Sequence, residues 1–402
     1  MRLVENAGRA GARRCEVAGM RRRYLLIGGV GALAATGAAF VGLRALQPKE
    51  APLGFEPDER FLVQARALLR QNPAIDVHAH PGRTFIRGAT GLSPALVAFS
   101  ARGPSEDAAF NDMRAGLVCG GSFSLVADFQ TLDLQGEGLA STRAFAPGEA
   151  RASYERQLAS LRAMVAEHGA TIVAEPSDFA RIKGAGGVAA LITVEGGDFL
   201  DGDIANVARS FEDGVRSITL VHYRSNELGD IQTAPAVRGG LTPFGVDVIR
   251  EMDRLGMVVD LAHAAEPAVS MALDVGARPM MCSHTHLQGH GATHPRFLSE
   301  GLARAIAERG GVIGAWPAGI GAATMNDYVD RIFELSEALG SDHVAMGTDM
   351  DANYKPVFTS YRQMPLLVSE LLRRGYGENN VVKFVGGNFL RVFAAVWAGR
   401  QV

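Results

Sequence analysis

The sequence predicts a (β/α)8 barrel, and two observations carry that expectation. Eight short apolar runs alternate with amphipathic helical stretches from Asp58 onward, the pattern of repeated parallel βα units. Polar residues follow directly on most of those runs, as barrel strands would deliver them to one face. A doubly wound open sheet is the alternative, but no G-x-G-x-x-G fingerprint follows the first run.

The runs cover residues 74–77, 116–127, 190–194, 217–221, 257–261, 279–282, 312–315 and 344–346. The helices between them carry their own punctuation. Thr242 and Pro243 open one as a cap and first-turn proline should, with Phe244, Val248, Met252 and Leu255 inward, and Gly256 stops it. Ser299 caps another that runs through Leu302 and Ile306 to Gly310.

Composition narrows the functional classes. With 47% hydrophobic and 21% charged residues in 402, the chain can bury a large core. A net charge of −3 supplies no basic field, so nucleic acid is not an expected partner. Cys15, Cys119 and Cys282 are too few and too scattered for a disulfide framework or a thiolate zinc site. Cys119 and Cys282 lie in apolar runs, where a small buried side chain is expected.

The first fifty residues differ from the rest. Arg13, Arg14 and Arg21 to Arg23 precede an uncharged Gly- and Ala-rich run over 24–43, long enough to span a bilayer. Three arginines followed by Tyr24-Leu25-Leu26 look like a twin-arginine export signal. Positive charge before the span puts the body of the protein outside the cytoplasm. Residues 1–50 are therefore expected to form a signal or membrane anchor plus linker, and 51–402 a (β/α)8 catalytic barrel.

The run ends supply the chemistry. His78 and His80 follow the first run, Glu195 the third, His222 the fourth, His263 the fifth, His284 the sixth and Asp349 the eighth. Each has a plain structural reading: a lone histidine is commonly a hydrogen-bonded structural residue, Glu195 could begin a glycine turn, and Asp349 could cap a helix. His-x-His on a strand is more pointed, because the two-residue period aims both rings to one face. So many imidazoles and carboxylates at one mouth predict a metal site, since burying them together without a cation is costly. His286 and His290 read as pocket wall, His168 and His343 as surface residues, and Asp351 as a supporting group.

The segments Asp76-Val77-His78-Ala79-His80, Val194-Glu195-Gly196-Gly197, Leu241-Thr242-Pro243-Phe244-Gly245, Asp260-Leu261-Ala262-His263, Ser283-His284, Gly347-Thr348-Asp349-Met350-Asp351 and Gly386-Gly387-Asn388-Phe389-Leu390 are similar to those of the membrane (renal) dipeptidase family of zinc peptidases. Met113-Arg114-Ala115-Gly116 and Gly120-Gly121 resemble it too. The matches follow the family's order and extend over residues 76–396.

The resemblance implies two zinc ions in a barrel. His78 and His80 would hold one, His263 and His284 the other, and Glu195 would bridge both. A hydroxide between the metals would attack the peptide carbonyl of a small dipeptide. Asp349 would carry the proton to the leaving amine, His222 would steady the oxyanion, and Arg296 would pair with the free carboxylate of the dipeptide. The implied protein is exported, touches the membrane only through its N-terminal segment, and leaves a homodimer open.

One residue departs from the family pattern. The first motif there is usually His-x-Asp, and here His80 stands at the Asp position. Imidazole is also a zinc ligand, but the exchange removes a negative charge beside two dications and weakens the first site. It also keeps open a barrel amidohydrolase or lactonase acting on a non-peptide substrate. Arg296 separates these readings, because a carboxylate clamp fits a dipeptide and is wasted on a neutral lactone. A non-catalytic binding protein on the same fold is disfavoured, since Glu195, Asp349 and the histidines are all retained.

Overall fold

Eight parallel strands follow one another around the barrel in chain order: β1 (Ile75–Asp76), β2 (Gly120–Val126), β3 (Ala189–Glu195), β4 (Val215–Thr219), β5 (Val258–Asp260), β6 (Met281–Thr285), β7 (Val312–Ala315) and β8 (Val344–Met346). The structure is a computed structural model that describes residues 50–401 except 102, 104, 136 and 137. The N-terminal segment with its expected export signal or anchor lies outside the described residues. The Val77 N–H donates to the Met346 carbonyl at 2.9 Å, and Ala79 bridges Met350, so the first strand meets the last. Thr171–Ile172 adds a short strand beside β3, and the antiparallel pair Leu132–Gln135 and Gly138–Ser141 extends from the loop after β2.

Helices cover the outside, among them α1 (Glu59–Gln71), α2 (Glu106–Ala115), α3 (Glu149–Glu167), α4 (Ala205–Glu212), α5 (Pro243–Leu255), α6 (Glu266–Val275), α7 (Glu300–Glu308), α8 (Met325–Leu339), α9 (Met364–Arg373) and α10 (Asn388–Ala398). Helix α5 has the anticipated punctuation. Thr242 accepts from the Gly245 N–H, and Gly256 ends the helix in the left-handed region that glycine tolerates. Ser299 stands at the cap position of α7 but makes no side-chain capping bond, contrary to the sequence expectation.

Strand boundaries also differ: the third strand takes in Glu195 and the fourth covers Val215–Thr219 rather than 217–221. The second strand starts at Gly120 rather than 116, because α2 runs to Ala115 and Leu117 takes a left-handed conformation with φ 61°. The sixth starts at Met281 rather than Pro279, a residue with no N–H for the ladder. The sixth also runs on to Thr285, past the expected end at 282, so His284 lies inside β6 and not beyond it.

The barrel interior is layered. Ile75, Ala189, Val258, Met281 and Val312, each the first residue of its strand, pack with Phe389, Val392, Phe393 and Val396 of α10. That helix closes the end where the strands begin. Although the segment Glu378–Ala398 is long and apolar enough to cross a membrane, half of it is buried in the protein as a core helix. Above this floor is a polar layer. Ser122 Oγ meets Thr193 Oγ1 at 2.5 Å, and Thr219 Oγ1 donates to Asp260 Oδ2 at 2.7 Å. Asp260 Oδ1 accepts from the Ala262 and Ser283 N–H groups. The fully buried Asp76 accepts from the Thr348 N–H and the Tyr361 hydroxyl. Every one of these buried polar groups is partnered, which makes the layer a rigid support.

Two glycines set how closely β6 is approached. A Cβ added at Gly314 would lie 1.7 Å from the Ser283 carbonyl oxygen, and one at Gly347 would lie 1.8 Å from the same atom. Backbone there cannot yield cheaply, so Gly314→Ala should cost about 1–3 kcal/mol of stability in urea unfolding through overpacking. Gly301→Ala, at an exposed position of α7 with nothing within 4 Å, should be neutral or gain up to about 1 kcal/mol. Equal stability of the Gly314 and Gly301 variants would contradict the packing at β6.

Candidate metal centre

The strand ends opposite α10 bring the seven ionisable residues read from the run ends into one cluster. Glu195 is the last residue of β3, and its neighbours β2 and β4 end beside it. His78 and His80 follow β1, His222 follows β4, His263 follows β5, and His284 is in β6. Asp349 follows β8, where its N–H donates to the His78 carbonyl at 2.8 Å. His263 and Asp349 both hold positive φ, 64° and 54°. Such backbone is costly for non-glycine residues and persists where surrounding contacts impose it. At His263 one of these is the Gln232 N–H, which donates to the His263 carbonyl at 2.8 Å.

Glu195 is the hub. Its Oε1 lies 3.3 Å from His78 Nε2, 3.0 Å from His263 Nε2 and 3.6 Å from His284 Nε2. Its Oε2 lies 3.4 Å from His80 Nε2 and 3.3 Å from His222 Nε2. Asp349 Oδ1 is 3.4 Å from His80 Nε2 and 4.0 Å from His78 Nε2. Ligand-capable atoms of His78, Glu195 and His284 gather within 4.8 Å of one another, as do those of His78, His80 and Asp349, and of Glu195, His222 and His263. The Asp349 side chain is 13% exposed against 2% for Glu195, so it is the carboxylate that faces the opening.

The far sides of two rings are held as metal-ligand histidines are, while His263 Nδ1 is buried without a hydrogen-bond partner. His80 Nδ1 meets the Ser124 carbonyl at 3.0 Å, and His284 Nδ1 meets Ser283 Oγ at 2.9 Å. His78 Nε2 is buried and points at Glu195 without hydrogen-bond geometry. A ring nitrogen aimed at a shared carboxylate in this way fits a common cation better than a hydrogen bond. The donor set, imidazoles with one carboxylate between them, is also one that zinc accepts.

The electrostatics divide the rings. Burial and then the Arg296 charge hold His263 well below its ordinary pKa; burial, His78 and Arg296 do the same for His284. Both are therefore neutral, the form a metal takes. Burial opposes the charge on His80, but its contacts with Asp349 and Glu195 raise it to about 10. Burial would likewise raise Glu195, yet the charges of His222 and His78 hold it well below its ordinary value.

Arg296 is the residue whose position differs most from expectation. It is only 3% exposed, and its Nη2 lies 2.9 Å from both His263 Nε2 and His284 Nε2. Its Nη1 donates to Gln232 Oε1, and its guanidinium carbon lies 5.2 Å from the Trp316 ring centre. The remaining histidines are outside the cluster. His286 is buried against Glu334 at 3.0 Å, and His290 faces Glu300. His168 is not a free surface residue, since it stacks on Phe110 at 4.5 Å, and His343 is tied to the Gly311 carbonyl. Asp351 accepts from the Gly82 N–H, a supporting contact.

Sequence reasoning missed two residues here. Asp128, just past β2, lies 2.6 Å from His222 Nδ1, and its position after an apolar run was the available signal. Gln232, which joins Arg296 to His263, sits in a long loop with no periodicity to mark it.

The chain is similar to known proteins. The chain is 33% identical to the Dipeptidase tcpJ of Claviceps purpurea over 229 residues, 54% of this chain and 53% of that protein. It spans about half the length of the curated relatives it matches. A probable dipeptidase, PvdM, from Pseudomonas aeruginosa superposes with TM-score 0.69 at 19% identity, over 85% of this chain and 99% of that one. A Rhodobacter sphaeroides metallopeptidase, solved with a phosphinate mimic of the dipeptide L-Ala-D-Ala, gives 0.68 at 18% identity over 81% and 99%. At these identities the two structures establish the shared fold. The family model described as membrane dipeptidase (Peptidase family M19) matches residues 62–401, and the chain belongs to that family.

Proposed function

We propose that this protein is a zinc-dependent dipeptidase acting outside the cytoplasm. The observation that carries the reading is Glu195, whose carboxylate has five imidazole Nε2 atoms within 3.6 Å. His78 and His80 would hold one zinc ion and His263 and His284 a second, with Glu195 between them. Such a pair supplies a water of lowered pKa and a Lewis acid for the scissile carbonyl.

The chain's own groups then have separate tasks. Asp349, the most open carboxylate of the cluster, takes a proton at Oδ1 and returns it to the leaving amine. His222 turns Nε2 toward the place where negative charge develops on the carbonyl oxygen. Arg296 meets the substrate carboxylate with its planar fork. Its present hydrogen bonds use the two ring nitrogens that a metal would take, so metal binding and that placement exclude one another. The fork released from those nitrogens has an anionic substrate end as its natural partner. Family membership and the uncharged run over 24–43 support export with a signal or anchor, leaving residues 51–402 as the catalytic barrel.

Zinc-loaded protein should cleave free L-L and L-D dipeptides and leave N-blocked dipeptides and a neutral lactone largely untouched. Lactone turnover without dipeptide turnover would replace this reading with that of a barrel amidohydrolase, which gives Arg296 no partner.

His80 gives a second prediction. His80→Ala should lose one of about two zinc ions per chain, because one imidazole and a shared carboxylate are too few ligands to hold a metal. His80→Asp should retain both, bind the first more tightly, and move the acidic limb of the pH–rate profile upward through the added negative charge. Elemental analysis showing unchanged zinc in the alanine variant would reduce His80 to a pocket wall.

A further inference from the structure

We infer that Asp128 is the positioning residue of His222, fixing the direction of the ring, an inference that rests on the oxyanion role proposed for that histidine. Asp128 is fully buried at the end of β2, and His222 lies beyond the end of β4. The strand carrying Glu195 runs between these two. The contact therefore reaches over the hub of the site, which local sequence could not produce.

Both oxygens of Asp128 are used on consecutive residues. Oδ1 is 2.6 Å from His222 Nδ1, and Oδ2 accepts the Tyr223 N–H at 2.9 Å. One carboxylate thus holds the ring and the backbone that carries it. A carboxylate oxygen accepts only, so the proton on this side belongs to Nδ1. The ring then turns Nε2 toward Glu195, 3.3 Å from Oε2, and the oxyanion role requires a hydrogen on that nitrogen as well. Tyr223 at 4.4 Å and His263 at 4.6 Å, measured between ring centres, limit rotation of the plane. Without Asp128 the ring keeps its neighbours but loses the bond that selects which nitrogen faces the cavity. A carboxylate behind an imidazole serves this purpose in many enzyme sites.

The test compares wild type, Asp128→Asn and Asp128→Ala as zinc-loaded enzymes. Asp128→Ala should lower kcat by about 10–100-fold, the usual loss when an outer partner is removed. KM should stay within about threefold, because the lost interaction belongs to the transition state. Affinity for a phosphinate dipeptide mimic, whose tetrahedral anion resembles that state, should fall in parallel with kcat/KM. Zinc content should not change. Asp128→Asn, whose amide oxygen still accepts from Nδ1–H, should recover part of the loss.

A purely structural Asp128 would lower stability and leave the ratio of phosphinate to substrate affinity where it was, and that result would overturn the inference. Should the alanine variant not fold, nitrogen NMR of the His222 ring in wild type decides. A proton on Nδ1 in a strong hydrogen bond supports the inference, and an unprotonated Nδ1 refutes it. Wild-type enzyme that cleaves no dipeptide would sink the proposed function, while the ring measurement would still judge Asp128.

Discussion

The carboxylate of Glu195 is the constraint on which the rest of the structure depends. It is buried at the end of β3 with five imidazoles turned toward it. A lone carboxylate in such a place would be neutral, since burial penalises its charge. Surrounded by rings it stays ionised, and it gives those rings a common target. Five strands and the loops beyond them must end at one height for this to happen. A parallel barrel does so because every strand points the same way and delivers its last residue to one rim.

The layers below exist to hold that rim still. Apolar residues at the strand starts pack on α10 and supply the cohesion. Above them Asp76, Asp260, Thr193 and Thr219 form a satisfied polar layer, with their bonds crossing between strands or to the residues that follow them. The Ser283 N–H is held by Asp260, and its carbonyl is pressed by Gly314 and Gly347, so the residue before His284 has little freedom. Positive φ at His263 and Asp349 is the local strain that this framework sustains.

Much of the site was legible because strand ends are legible. An apolar run stops where the chain reaches the rim, and the ionisable residues there are placed by geometry rather than by chance. This held for His78, His80, Glu195, His222, His263 and Asp349. His284 came by the same route even though its strand runs further than the apolar run suggested, to Thr285. Asp128 occupied a comparable position after β2 but had no motif around it, and its partner returns from two strands away. Gln232 was out of reach, since an irregular loop carries no period. The depth of Arg296 was equally hidden, because a motif can name a residue without saying how far its side chain turns inward.

The central claim is that Glu195 joins two metal ions. Glu195→Gln keeps the shape of the side chain and removes its charge, so it isolates that claim. Zinc titration of the folded variant, followed by elemental analysis, should show a fall from about two ions per chain to well under one, as expected when a shared anionic ligand is lost. Retention of both ions at wild-type affinity would contradict the account, and Glu195 would then be a hydrogen-bond acceptor around which the histidines merely pack.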